Sequence, residues 1–168
     1  MESKAKISGF IAYKLLDQNG DVKAEGKTKN VITEAGLKYY VDQLTDAGGS
    51  AVQLMVLGTG TVAVGTGDTW VGGYFSDNGT TSGTAGGVTA VTNSGTATNV
   101  QYVGTFSAGY ATQDGITRVG LANMVASADG NGTPNGLTTF FVAHGTIDPA
   151  VNKGASDTLV VTWDHTFS

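Results

Sequence analysis

His144 and His165 are the side chains of this sequence best suited to metal binding or acid–base chemistry. Both fall in predicted strands, and they would approach each other if those strands pair. With Asp164 they would offer three ligands to a metal ion. The spacing matches no defined metal site, so the alternative interpretation is that each histidine lies on a strand face and contacts a neighbour. We therefore predict no metal and no other cofactor.

Three loop sequences have only part of a ligand-binding motif. Residues 58–60 are Gly-Thr-Gly but lack the dinucleotide-binding spacing. Residues 17–21 and 129–132 are rich in oxygen ligands, yet neither has the glutamate that completes a calcium loop. A Gly-x-Ser-x-Gly nucleophile motif is absent, and with no cysteine in the sequence thiol catalysis is excluded. The sequence predicts a protein that is not an enzyme.

One aromatic stretch could bind a ligand. Its residues are Trp70, Tyr74, Phe75, Asp77 and Asn78. A sugar ring stacks on an aromatic face, and its hydroxyls pair with nearby acceptors and donors. The alternative is that these aromatic residues belong to a core or a protein interface.

Charge is unevenly distributed along the chain. Residues 1–38 contain seven basic and five acidic residues, whereas residues 39–168 contain two basic and nine acidic residues, giving +2 and −7. Clustered lysine and arginine are needed to follow a phosphate backbone, so we expect no nucleic-acid partner. A run of about 18 apolar residues and the apolar core of a signal peptide are both missing. We expect no membrane partner and synthesis in a cytoplasm.

A single segment has the pattern of an amphipathic helix, predicted over about residues 33–46. Thr33 is the expected N-cap and Glu34 lies in the first turn, where the helix dipole favours an anion. The apolar stripe consists of Leu37, Tyr40, Val41 and Leu44. A helix of three turns is unstable alone, so we expect this stripe to cover a sheet.

The rest of the sequence predicts strands and glycine-rich loops. Residues 6–16 and 22–32 form a predicted hairpin, with lysine or glutamate at every second position from Lys23 to Lys29 facing water. Residues 1–32 would make an N-terminal hairpin or arm.

Residues 58–99 would make a long loop region, since 18 of the 26 glycines lie between Gly58 and Gly136.

In the last predicted strand, Trp163 alternates with polar residues and should lie in the core. With seven or eight strands, residues 1–168 are predicted to form one antiparallel β-sandwich of jelly-roll type.

The order of these features resembles that of small β-sandwich structural proteins in the virions of tailed bacteriophages. The matching segments are residues 30–37, 57–61, 67–69, 100–106, 115–121 and 153–163.

This resemblance implies a capsid cement, or decoration, protein that binds the outer shell and stabilises contacts between major capsid proteins. Its expected partners are the major capsid protein and copies of itself, as a homodimer or homotrimer on the capsid surface. A tail or fibre component, and a module that binds a glycan or receptor, are the alternatives.

Overall fold

A computed structural model of the protein describes residues 6–44, 51–61, 65–67, 87–123 and 140–168. These ranges contain eight strands and one helix. In chain order they are β1 (Ile7–Leu16), β2 (Val22–Ile32), α1 (Glu34–Leu44), β3 (Leu54–Gly58), β4 (Val88–Gly95), β5 (Asn99–Phe106), β6 (Gln113–Asn123), β7 (Phe140–Lys153) and β8 (Thr158–Phe167).

The strands form a closed antiparallel barrel in the order β1-β2-β7-β6-β3-β4-β5-β8. The prediction of a mainly β, antiparallel chain with one short helix is confirmed. The finer prediction of a jelly-roll sandwich does not follow from this topology, because the sheet closes into an eight-stranded barrel. Closure depends on β8, which pairs with β5 on one side and with β1 on the other. Alternation of apolar and polar residues fits either architecture, so it could not decide between them.

The pairing of β1 with β8 runs along their whole length. It extends from Ile7 opposite Phe167 to Leu16 opposite Thr158. Two further backbone hydrogen bonds join Lys6 and Ser168 just beyond the strands, at 2.7 and 3.0 Å. The first and last described strands are therefore neighbours in the barrel.

Inward-facing side chains fill the barrel interior. Trp163 is fully buried, which confirms its predicted place in the core. The largest other side chains that are almost fully buried include Ile11, Tyr13, Met55, Leu57, Phe106, Ile116, Leu121, Ile147 and Leu159. These residues belong to one cluster, so the described strands share a single core.

Glycine makes space for several of these large side chains. A Cβ on Gly145 would lie 1.7 Å from the Ile11 side chain, and a Cβ on Gly104 would lie 2.7 Å from the Met55 sulfur. Large residues on one strand therefore fill the space above glycines on another, which gives the interior its close packing.

Helix α1 begins at a threonine cap, as predicted. Thr33 is buried, and its hydroxyl accepts a hydrogen bond from the Gly36 amide at 2.9 Å. The Thr33 carbonyl accepts the amide of Leu37 at 2.9 Å, which closes the first turn.

The buried face of α1 differs from the predicted stripe. Leu37 and Val41 are 48% and 56% exposed, whereas Gly36 and Tyr40 are buried. A Cβ on Gly36 would lie only 1.9 Å from the Val142 carbonyl oxygen of β7. The helix backbone thus approaches β7 along its glycine face, and that close approach turns Leu37 and Val41 toward solvent.

Two of the predicted loop segments contain residues that the structure describes. In the turn at residues 17–21, the Asp17 carboxylate accepts the amides of Asn19 and Asp21, and Gly20 has a φ of +87°. This confirms the predicted hairpin turn. The predicted loop region 58–99 contains β4, which pairs with β3 and β5.

In the described part of the chain, no helix combines the length and apolarity needed to cross a membrane.

Candidate functional site

The predicted aromatic ligand site lies outside the described residues. This applies to all five of its members, Trp70, Tyr74, Phe75, Asp77 and Asn78. The oxygen-rich loop at residues 129–132 also lies outside them. Both remain predictions.

The two histidines are not brought together as the metal hypothesis required. His144 lies in β7 and His165 in β8, and β1 and β2 stand between these strands in the barrel. His165 is buried in the interior, while Asp164 points outward and accepts a hydrogen bond from the Gln101 amide at 2.8 Å. Within the described ranges, no group of three or more His, Asp or Glu side chains could hold a metal ion.

A chain of hydrogen bonds joins β2, β8, α1 and β5 at the helix end of the barrel. The Asn30 side-chain nitrogen lies 2.8 Å from His165 Nε2, and the Tyr40 hydroxyl hydrogen-bonds His165 Nδ1. With the Asn30 amide donating to Nε2, the neutral ring carries its proton on Nδ1 and donates it to Tyr40. Tyr40 is also hydrogen-bonded to Tyr102. His165 thereby connects the helix to the barrel wall.

Burial determines the protonation of this chain. Burial lowers the pKa of His165 to about 4, and the charge of Asp164 opposes only part of that shift. Burial also raises the pKa of Tyr40, and the neighbouring Tyr102 raises it further. The side chains of His165, Tyr40 and Tyr102 are therefore all neutral at pH 7.

Aromatic rings surround the same histidine. Tyr40, Tyr102 and Trp163 each meet His165 edge to face, with ring centroids between 5.7 and 6.2 Å apart. Phe167 meets Tyr40 at 5.3 Å in the same orientation. These contacts occupy the space around the imidazole, so it acts as a packed structural group.

A second polar cluster lies at the hairpin between β7 and β8. The Asp157 carboxylate is buried and accepts hydrogen bonds from Lys23 Nζ at 2.7 Å and from the Gly154 amide at 2.9 Å. The Lys23 bond is the main reason that the pKa of Asp157 is lowered. Lys153 is buried beside this hairpin and donates to the carbonyls of Ser107 and Tyr110. The Gly154 bond closes the hairpin, while Lys23 joins it to β2 and Lys153 joins the end of β7 to the loop between β5 and β6.

The wall of the barrel is incompletely hydrogen-bonded between β2 and β7. Backbone pairing joins only Asn30, Val31 and Ile32 to β7. The stretch of β2 and β7 without backbone pairing is called the gap here. The side chain of Tyr13 bridges it, and the Tyr13 hydroxyl donates to the Pro149 carbonyl of β7 at 3.3 Å. A Cβ on Gly26 would lie 2.6 Å from the Tyr13 hydroxyl, so glycine is needed for this ring to pass beneath β2.

Exposed lysines follow β2 beside this gap. Lys27 lies 4.7 Å from the centre of the Phe10 ring, and Glu25 pairs with Lys14 at 3.5 Å. Lys27 and Lys29 form no ion pair with any residue in the described ranges. Glu25 is therefore paired, whereas Lys27 and Lys29 are unpaired in that part of the chain, and the exposed Asp148 of β7 places a second carboxylate near Tyr13.

A groove on the outer surface continues from these lysines across β1 to β8. Its volume is about 490 Å³, and its lining includes Ala12, Lys14, Lys27, Val160 and Thr162. Ala12 is the small residue at its centre, directly opposite Lys27 on one neighbouring strand and Thr162 on the other. The groove has an apolar floor with charged and hydroxyl-bearing sides.

Sequence reasoning found part of this surface. The period of two in the β2 lysines correctly predicted an exposed face. The gap was missed, because it depends on Tyr13 of β1 reaching Pro149 of β7, and residues so distant in sequence give no local signal. Asn30 was missed as a histidine partner for the same reason.

Comparison with protein-family models, with curated proteins and with solved structures gives no match.

Proposed function

We propose that this chain is a structural protein of a tailed-bacteriophage virion, and specifically a capsid cement protein that binds the outer shell. The observation that carries the proposal is the packed barrel interior, together with the polar, lysine-bearing outer surface. Trp163, Phe106 and their neighbours fill the space in which small barrels of other kinds hold a ligand. We therefore expect a binding partner to contact the outer surface of the barrel.

The features of the outer surface suit attachment to another protein. The groove over Ala12 can receive an apolar side chain, and Lys27 and Lys29 can meet carboxylates around it. A cement protein acts by adding interface area where shell subunits would separate, and it needs a rigid body to do so. The order of sequence features that resembles phage structural proteins supports the same role.

The test is to purify particles from the source of the gene on a density gradient and to measure this protein by quantitative mass spectrometry. We expect it in fixed proportion to the major capsid protein, and retained in heads from which tails have been removed. Particles that lack it would overturn the proposal. Recovery with the tails alone would replace the capsid role with a tail or fibre role.

Light scattering of the purified protein over a wide dilution range measures its oligomeric state. A persistent dimer or trimer is expected, because cement proteins bridge symmetric subunits. A strict monomer at all concentrations would contradict the predicted homodimer or homotrimer.

A further inference from the structure

A second groove lies where β4 separates from β5, and we call it the Tyr110 groove after the aromatic residue in its lining. Backbone pairing of the two strands begins with Val91 opposite Gly104. Nearer the start of β4, the Thr89 hydroxyl joins them by donating to the Thr105 carbonyl at 3.0 Å. The groove has a volume of about 390 Å³, which lies within the range of small-molecule sites.

Every residue that lines the Tyr110 groove is uncharged. Leu54 and Ala90 supply apolar surface, whereas Thr105 and Ser107 are exposed residues with hydroxyl groups. An ionic ligand would lose its hydration here without gaining a partner of opposite charge. The lining therefore suits an uncharged molecule that has both apolar and hydroxyl-bearing surface.

Tyr110 is 50% exposed, yet the loop that carries it is firmly held. Its amide donates to the Ser107 carbonyl at 3.1 Å, and the Gly109 amide donates to the Ala155 carbonyl at 2.6 Å. Lys153 Nζ donates to the carbonyls of both Ser107 and Tyr110, at 3.0 and 2.6 Å. Because Lys153 is buried, water competes little for these bonds.

A rigid loop changes what an exposed tyrosine can do. The ring offers a large face to a ligand, and little conformational entropy is lost when the ligand binds, since the loop is already ordered. A sugar ring stacks its C–H groups on such a face and pairs its hydroxyls with donors and acceptors beside it. The Tyr110 groove has both kinds of partner.

We propose that the Tyr110 groove binds a neutral sugar residue of a glycan, with the sugar ring on Tyr110 and its hydroxyls toward Thr105 and Ser107. An apolar side chain of another protein would leave those two hydroxyl groups without a partner in the complex. An acidic sugar would meet no cation in the lining. The site uses none of the residues in the aromatic stretch at residues 70–78.

This inference goes beyond the proposed virion role and does not rest on it. Sugar binding is measured on the purified protein, whereas the virion role is tested on particles. A failure to bind sugars would leave the particle experiment unaffected, and absence from particles would leave the Tyr110 groove unaffected.

The experiment is saturation-transfer difference NMR on the full chain, with the methyl β-glycosides of glucose, galactose and N-acetylglucosamine as probes. A single sugar ring in an open groove should bind weakly, with a Kd of roughly 1 mM, which this method detects. For at least one glycoside, we expect saturation to be strongest at the C–H protons on one face of the ring, because that face lies on Tyr110.

Three substitutions test the aromatic contact. Tyr110→Ala removes the ring and keeps the backbone carbonyl that Lys153 binds, so the variant should fold. We expect its affinity to fall at least about tenfold, while Tyr110→Phe should stay within about threefold of the wild type. Phe10→Ala removes another exposed aromatic ring, from β1 and outside the groove, and it should leave the affinity unchanged.

The hydroxyl contacts are tested apart from stacking. Thr105→Val keeps the shape of the side chain and removes its hydroxyl, so glycoside binding should weaken about threefold to tenfold. Cyclohexanol has a six-membered ring with a single hydroxyl, and it should bind at least about tenfold more weakly than the best glycoside.

Absence of saturation for all three glycosides at roughly 10 mM would overturn the proposal. Unchanged binding by Tyr110→Ala, or an equal loss in Phe10→Ala, would overturn it as well, because the sugar would then lie elsewhere. Cyclohexanol that binds as tightly as the best glycoside would also overturn it and would reassign the groove to an apolar side chain of a protein partner.

Discussion

Acidification should weaken the protein through His165. The side chain is fully buried, and its ring nitrogens contact Asn30 and Tyr40. Its pKa is about 4 in the folded protein, against an ordinary value of 6.5. The unfolded chain therefore binds a proton between these pH values that the folded chain does not bind. The contribution of His165 to the free energy of unfolding is fully present above pH 6.5 and is lost as the pH falls toward 4.

The size of the loss follows from the pKa difference. Each pKa unit corresponds to about 1.4 kcal/mol, so the free energy of unfolding should fall by about 3 kcal/mol from this group alone. A loss of that size is a large part of the stability of an ordinary domain. The added proton would be placed on Nε2, so the hydrogen bond that Nε2 accepts from the Asn30 amide is the contact that is lost, and the Nδ1–H bond to Tyr40 is kept.

The assay is urea denaturation at a series of pH values from 7.5 to about 4, comparing the wild type with His165→Gln. The variant starts from a lower stability, but its curve should lack the histidine component and fall less steeply over this range. Subtracting the two curves removes the contributions of the carboxylates. A carbon-13 titration of the imidazole gives the pKa directly.

Parallel curves for the wild type and His165→Gln would refute the reasoning. An imidazole that titrates near pH 6.5 in the folded protein would refute it independently, because the ring would then have access to water.

Other substitutions test the core and the helix, each measured by urea denaturation. Trp163→Ala should cost about 3 to 5 kcal/mol and reduce soluble yield, because a fully buried indole is removed; an unchanged free energy of unfolding would contradict its place in the core. Gly36→Ala should cost about 1 to 3 kcal/mol despite the better helix propensity of alanine, because its Cβ would meet the Val142 carbonyl. Gly67→Ala, where a Cβ has open space, should change stability by less than about 0.5 kcal/mol, and equal effects at both glycines would argue against the close approach of α1. Thr33→Ala should cost about 1 to 2 kcal/mol and Thr33→Ser much less, since only serine keeps the cap; equal losses would contradict the capping role.

Much of the secondary structure could be predicted from local sequence. The second strand was predicted at residues 22–32, where it is observed, and the helix was placed close to its observed range. Periods of two and of 3.6 residues, turn residues and caps are local signals. Barrel closure is not local, because it depends on β8 finding both β1 and β5.

The face of the helix shows where local reasoning fails. Leu37 and Val41 have the spacing of a buried stripe, but a glycine on another face allows a closer approach to β7. The hydrophobic pattern correctly predicts that Tyr40 is buried, but it is wrong for Leu37 and Val41. Only the tertiary contact between Gly36 and Val142 decides the orientation.

The polar chain and the exposed face of β2 were only partly predictable. Exposed lysines on β2 could be read from their alternation, and His165 could be singled out as chemically distinctive. The imidazole's partners lie 125 and 135 residues away in sequence, on α1 and β2. Such pairings follow from the barrel topology, which the sequence pattern leaves open.

The position of β8 between β1 and β5 has a consequence for how the protein folds during synthesis. The strand that joins the two sides of the barrel is the last of the eight to leave the ribosome. Until Thr158–Phe167 has been made, β1 and β5 both have open edges that could pair with other nascent chains. Contacts this distant in sequence also form slowly. Chaperones that shield unpaired strands should therefore matter most for this protein in the interval just before β8 is released.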